Sequence, residues 1–256
     1  MRSSNPIASK PLETREKSIS IVIVDTTQHI LANNALLHSI REFEFDQVLI
    51  FSDTQPPWGN HEIIHIPPIK RIEDYNKIIT RDLQKYISTD FCLVIQYDGF
   101  IINSNQFSPH FLEYDYIGAP WPHFDTMNVG NGGFSWRSRK LIEAVATLNY
   151  SDPSVAEDIF ICRDQRINLE KNNSIKFAPK EIATHFSVES VPARFPTFGF
   201  HGVFHLPAIY RNNIDFFIEN IDIRTAEKWR NLLFPAVERI SATAASRLQE
   251  RLSSAQ

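Results

Sequence analysis

Glycine is scarce in this chain, at 8 of 256 residues, and cysteine is scarcer, at 2. Cys92 falls in an apolar run and Cys162 in an expected helix, so they build neither a disulfide framework nor a zinc site. Both read as core residues, as free cysteines mostly are. A basic excess is missing too: 26 Lys and Arg stand against 30 Asp and Glu, a net charge of −4. That argues against a nucleic-acid partner, because neutralising phosphates takes clustered cations. No apolar run approaches the roughly 18 residues needed to span a bilayer. Residues 1–17 are polar and lack the apolar centre of a secretion signal. They read as a lead-in, and the expected setting is cytoplasmic with no transmembrane segment.

The few glycines are concentrated. Gly130, Gly132 and Gly133 fall together in VGNGGFSWRS, and seven of the eight lie between Gly99 and Gly202. Glycine serves where φ must be positive or where something approaches the backbone closely. The middle of the chain is therefore where a small-molecule pocket is expected. Aromatic residues are plentiful, with 19 Phe, 7 Tyr and 4 Trp, enough for a core and for stacking on a ring-shaped ligand.

The first hundred residues alternate two periodicities. Residues 19–24, 47–51, 62–66 and 91–95 are short apolar runs with the look of buried strands. Residues 33–43 read as a helix capped by Asn33 or Asn34, and residues 74–87 carry apolar positions at helical spacing. That order predicts a three-layer α/β/α sandwich with a mainly parallel central sheet. Ligands of such sheets bind beyond the C-terminal strand ends, where Asp25, Asp53 and Asp98 fall. Further helices are expected at 138–148 and 157–169, and a helical tail over 225–252 broken near Pro235.

Five segments could carry chemistry. QYDGF places Asp98 directly after a strand, where a carboxylate can hold a hard cation; Asp98-Gly99 is equally a turn pair. DYIGAPW (115–121) offers the flat ring of Trp121, or a rigid crossover packed by aromatics. GNGGFS (130–135) has Ser135 where a dinucleotide fingerprint needs a third glycine, and no Gly-Lys-Ser/Thr, so it fits pocket walls rather than phosphates. Glu157 and Asp158 open an expected helix, either as first-turn acids that suit its dipole or as a general base with a helper. In FGFHG, His201 sits between aromatics and glycines.

Together, these five segments resemble nucleotide-sugar glycosyltransferases of the GT-A type. More closely, the chain resembles a little-characterised bacterial and eukaryotic GT-A-like domain family, over roughly residues 19–205. The resemblance implies a GT-A-like domain over residues 18–210 followed by a C-terminal helical extension over 211–256. It implies Mn²⁺ or Mg²⁺ held by Asp98 and His201, with Gln96 standing where the family's D-x-D motif has its first Asp. Thr26, Asp53 and Asp98 would bind the nucleotide side of the donor, and Gly132 and Gly133 its sugar. Trp121, Asn131 and Phe134 would meet sugar or acceptor. Asp158 would be the base that deprotonates the acceptor hydroxyl, with Glu157 as the alternate. The implied reaction is transfer from a UDP-linked sugar to a glycan or other hydroxyl acceptor, with inversion. Two other classes stay open: a glycoside hydrolase using paired carboxylates, and a non-catalytic sugar- or nucleotide-binding module.

Overall fold

The computed structural model describes residues 17–190 and 196–254; most of the lead-in over 1–17 therefore lies outside the described residues. The chain opens with strand β1 (Ile19–Val24), helix α1 (His29–Glu42), and strands β2 (Gln47–Ser52) and β3 (Ile63–His65). Helix α2 (Ile72–Lys77) leads to β4 (Phe91–Ile95), β5 (Tyr116–Ile117) and β6 (Ser135–Ser138). These six strands form one sheet in the order β3-β2-β1-β4-β6-β5. The first four are parallel, and β6 runs antiparallel to both β4 and β5. The expected three-layer α/β fold with a mainly parallel sheet is what the chain adopts.

Burial on both faces explains why the central strands are continuous apolar runs rather than alternating ones. Ile19, Ile21 and Ile23 of β1 pack with Leu93, Ile95 and Trp136 against Ala32 and Leu36 of α1. Val22 and Val24 face the other way, with Cys92 and Val94, onto Ile78, Ile79 and Leu83. Helix α3 (Arg139–Ala146) adds Ile142 to that second layer. Both cysteines are buried and free, as expected.

The remaining elements are α4 (Glu157–Ile159), α5 (Arg166–Asn173), α6 (Lys180–Phe186), β7 (Ser187–Val188), β8 (Gly199–Phe200) and α7 (Leu206–Ile209). The chain then finishes in α8 (Ile214–Asn220), α9 (Ile223–Lys228), α10 (Arg230–Glu238) and α11 (Ala242–Ser254). These last helices share a core with Leu31 and Ala35, so α1 is held between the sheet and the tail. No helix among the described residues is long and apolar enough to cross a membrane.

Helix α1, two later helices and the tail differ from the sequence expectation. Helix α1 starts at His29, a turn before Asn33, directly after a turn in which the Asp25 carboxylate accepts the N–H groups of Thr27 (3.0 Å) and Gln28 (2.7 Å). The expected helices over 74–87 and 157–169 each widen into a π-helical turn, at Ile78–Asp82 and Phe160–Asp164. In the first, Thr80 donates its hydroxyl to the Asn76 carbonyl. The tail breaks at its caps rather than at Pro235, which sits inside α10. Asp222 caps α9 by accepting Thr225 N–H at 3.0 Å, and Ser241 accepts Ala244 N–H ahead of α11.

One expected sugar contact belongs to the core. Phe134 is 0 % exposed and packs among Phe186 and Phe198. Its side chain therefore cannot stack on a sugar, and the aromatic signal that suggested it is explained by packing. Phe134→Ala is expected to cost about 3–5 kcal/mol, the usual range for emptying a buried aromatic position. Urea unfolding monitored by circular dichroism checks this.

Candidate active site

Two groups of side chains meet at the C-terminal edge of the sheet, and the glycine run joins them. The first follows β4. Gln96 and Gly99 exchange backbone hydrogen bonds (2.9 and 3.1 Å), so Asp98-Gly99 is a tight turn that also presents a carboxylate. Asp98 is 7 % exposed, and its Oδ1 has no hydrogen-bond partner. His201, just after β8, directs Nε2 to that atom at 3.7 Å and to Gln96 Oε1 at 3.3 Å. Gln96 is oriented from behind, its amide N–H donating to the Tyr75 hydroxyl at 3.0 Å. The three donors Gln96 Oε1, Asp98 Oδ1 and His201 Nε2 thus converge. Among the described residues no group of three His, Cys, Asp or Glu side chains is placed to hold a metal ion; the third donor here is an amide oxygen.

The electrostatics of this group follow from burial and mutual charge. Burial pushes the Asp98 carboxyl up, and His201 opposes it. For His201, burial works against the charged ring, but Asp98 and Glu189 outweigh it and the net shift is upward. Glu189 lies 3.1 Å from His201 Nδ1. Nothing in the local sequence marks Glu189: the end of β7 brings it beside His201.

The second group gathers around Asp158. Its Oδ2 accepts Gly132 N–H at 3.0 Å and its Oδ1 accepts Ile159 N–H at 2.8 Å. Asn76 holds the approach to α4, donating to the carbonyls of Pro153 (2.8 Å) and Val155 (2.7 Å) and accepting Glu157 N–H at 3.1 Å. Glu157 itself is 2 % exposed and makes a two-pronged ion pair with Arg137, at 2.8 and 3.0 Å. Burial pushes its carboxyl up while the guanidinium pulls it down. Glu157 is therefore not available as the alternate base. Like Asn76, Arg137 has a role that its sequence context does not disclose.

The glycine run lies between the two groups. A Cβ on Gly133 would run into His201 Nε2 and lie 2.7 Å from Gln96 Oε1; one on Gly132 would run into Glu157 Oε1. Close approach, not positive φ, is the reason for these glycines. The left-handed residue of the run is Asn131, at φ 71°. Its Oδ1 accepts the N–H groups of Gly133 (3.1 Å) and Phe134 (3.2 Å), and its amide nitrogen lies 2.9 Å from His201 Nδ1. Asn131 was expected to touch sugar; its polar atoms instead brace the run.

The other expected positions divide. Thr26 lines a cleft of about 160 Å³ between the ends of β1 and β4, shared with Asp25, Tyr75, Gln96 and Tyr97. Its hydroxyl accepts Ile69 N–H at 2.9 Å. Asp53 does not line that cleft and is held by His29 at 2.7 Å. Asp25 takes the position Asp53 was expected to fill, and burial pushes its carboxyl up to about 6 against the N–H groups of Thr27 and Gln28. Trp121 is 5 % exposed and lies in the core beneath β5, so it offers at most an edge to a sugar.

Losing one member of a buried ion pair strands the other, whereas losing both need not. Glu157→Gln is expected to destabilise the fold by about 3–5 kcal/mol, and the double change Glu157→Leu with Arg137→Met to recover much of that. A double-mutant cycle in urea checks it; equal losses in single and double variants would contradict the assignment.

Residues 60–201 match the family model described as "Protein of unknown function (DUF5672)". No curated protein matches the sequence. Among solved structures, the chain is similar to a glycosyltransferase involved in the glycosylation of the major capsid of PBCV-1, at 10% identity and a TM-score of 0.49, covering 73% of this chain and 93% of that one. It is also similar to glucosyl-3-phosphoglycerate synthase from Mycobacterium tuberculosis, solved with Mg²⁺ and uridine diphosphate. There the identity is 9%, the TM-score 0.42, and the coverage 64% of this chain and 68% of that one. A third similar structure is the bifunctional IspDF from Campylobacter jejuni, at 15% identity and a TM-score of 0.34, covering 54% of this chain and 46% of that one. The family match takes in Asp98, the glycine run, Asp158 and His201, and on that match the chain belongs to the family of proteins of unknown function DUF5672.

Proposed function

We propose that this protein transfers a sugar from a nucleoside diphosphate sugar, UDP-linked by the resemblance of its motifs, to a hydroxyl acceptor. The observation that carries the reading is the unpartnered Asp98 Oδ1, buried and faced by Gln96 Oε1 and His201 Nε2. A buried carboxylate oxygen with no donor is costly unless something else satisfies it. Two oxygens and one imidazole nitrogen suit Mn²⁺ or Mg²⁺. Bound there, such an ion would offset the charge of the departing diphosphate.

The chain's own residues divide the remaining work. The cleft bounded by Asp25, Thr26 and Tyr97 abuts Gln96 and would take the nucleoside. Gly132 and Gly133, with no side chain of their own, let the two groups approach each other, and the transferred sugar would lie where those groups meet. Asp158 would accept the proton of the acceptor hydroxyl. Two backbone N–H groups fix its carboxylate and leave lone pairs on both oxygens for that contact. A base and a leaving group on opposite sides of the sugar would give inversion.

Asp158→Asn keeps the shape and removes the base. Its turnover should fall about 10²–10⁴-fold, the usual worth of general base catalysis, with donor affinity nearly unchanged. Steady-state transfer from UDP-sugars and calorimetric donor binding measure the two quantities. Unchanged turnover would remove Asp158 from the mechanism.

A further inference from the structure

His201 has competing neighbours on its far side, and their competition decides what its near side can do. Strand β7 pairs in parallel with β8, placing Val188 opposite Phe200, and His201 N–H donates to the Val188 carbonyl at 2.8 Å. The residues that follow on each strand, Glu189 and His201, therefore leave the ladder side by side. Glu189 Oε1 stands 3.1 Å from Nδ1 of the ring, and the Asn131 amide nitrogen stands 2.9 Å from the same atom. Asn131 cannot turn its oxygen to the ring without giving up the N–H groups of Gly133 and Phe134.

A neutral imidazole carries one proton, so the two neighbours ask for opposite tautomers. If Nδ1 accepts from Asn131, the proton is on Nε2 and points at Asp98 Oδ1 and Gln96 Oε1. The cation site is then filled by a hydrogen. If Nδ1–H donates to Glu189, Nε2 is bare and faces the same two oxygens. We infer that Glu189 wins this competition and is the positioning residue that presents Nε2 of His201 to a divalent cation, an inference that rests on the cation reading proposed above.

Charge decides between the two. A hydrogen bond onto a carboxylate is roughly twice as strong as one between neutral groups. Glu189 can also accept from the Asn131 amide, so that both donors end on the one acceptor. Despite burial, which would raise it, the Glu189 carboxyl is held below its usual range, chiefly by His201 and with help from Asn131. A histidine that ligates metal through one nitrogen commonly gives its other N–H to a carboxylate in this way.

Two measurements test this on the full chain. Heteronuclear NMR of the His201 ring nitrogens, in metal-free protein at a pH where the ring is neutral, should show the proton on Nδ1 in wild type and on Nε2 in Glu189→Leu. Titration with Mn²⁺ alone, followed by electron paramagnetic resonance, should show Glu189→Leu binding about 10–100-fold more weakly than wild type. Glu189→Gln, which keeps an acceptor oxygen, should restore part of the loss. A proton on Nε2 in wild type, or equal Mn²⁺ affinity in wild type and folded Glu189 variants, would overturn the inference. Wild type that shows the Nδ1 proton but binds no Mn²⁺ would instead overturn the cation reading and, with it, Glu189's role toward a cation. Should Glu189→Leu fail to fold, the wild-type tautomer and the Glu189→Gln titration decide.

Discussion

No side chain fits at Gly132 or Gly133, and the candidate site depends on that steric fact. His201 Nε2 and Gln96 Oε1 occupy the space a Cβ on Gly133 would need, and the Glu157 carboxylate occupies that of Gly132. The run is thus the contact surface at which the end of β4, the turn after β8 and the start of α4 come together. Its shape is held from both sides, by Asn131 taking two N–H groups within the run and by Asp158 taking a third. A residue with any side chain would push the two polar groups apart.

Around that contact the charges are arranged by burial. Arg137 and Glu157 satisfy each other out of water and anchor α4 beneath Asp158. Asp98, His201 and Glu189 form a second chain of charge, with His201 between two carboxylates. The first chain is closed, with each charge answered by a partner. The second is open at Asp98 Oδ1, a buried oxygen with no hydrogen-bond partner. Helix α1 links the site to the tail: Gln28 N–H donates to Asp25, and the Gln28 side chain bonds Asp222 and Thr225.

Much of this was legible in the sequence, because it rests on local signals. Continuous apolar runs at 19–24 and 91–95 announced a sheet covered on both faces, and the strand-end position of Asp98 followed from that. The density of glycine pointed to the segment that joins the two polar groups. Other features were illegible because they depend on what the fold brings from afar. Phe134 looks like a stacking residue until Phe186 and Phe198 are packed on it. Glu157 looks like a base until Arg137, twenty residues earlier, reaches it. Asn76 and Glu189 stand in no motif; one acts through the loop at 153–157, the other through a parallel pairing of two short strands. The start of α1 was misplaced because the turn that leads into it is held by Asp25, ahead of the helix.

The central claim is that a nucleoside diphosphate and a divalent cation bind here together. A thermal-shift titration of the wild-type protein with uridine diphosphate, with and without Mn²⁺, tests it directly, since a ligand bound only by the folded state raises stability by mass action. With nucleotide and Mn²⁺ together, Tm should rise by clearly more than the sum of the two separate effects, and that excess should disappear in Asp98→Ala. An equal response to nucleotide with and without the ion, or an undiminished coupled response in Asp98→Ala, would contradict it.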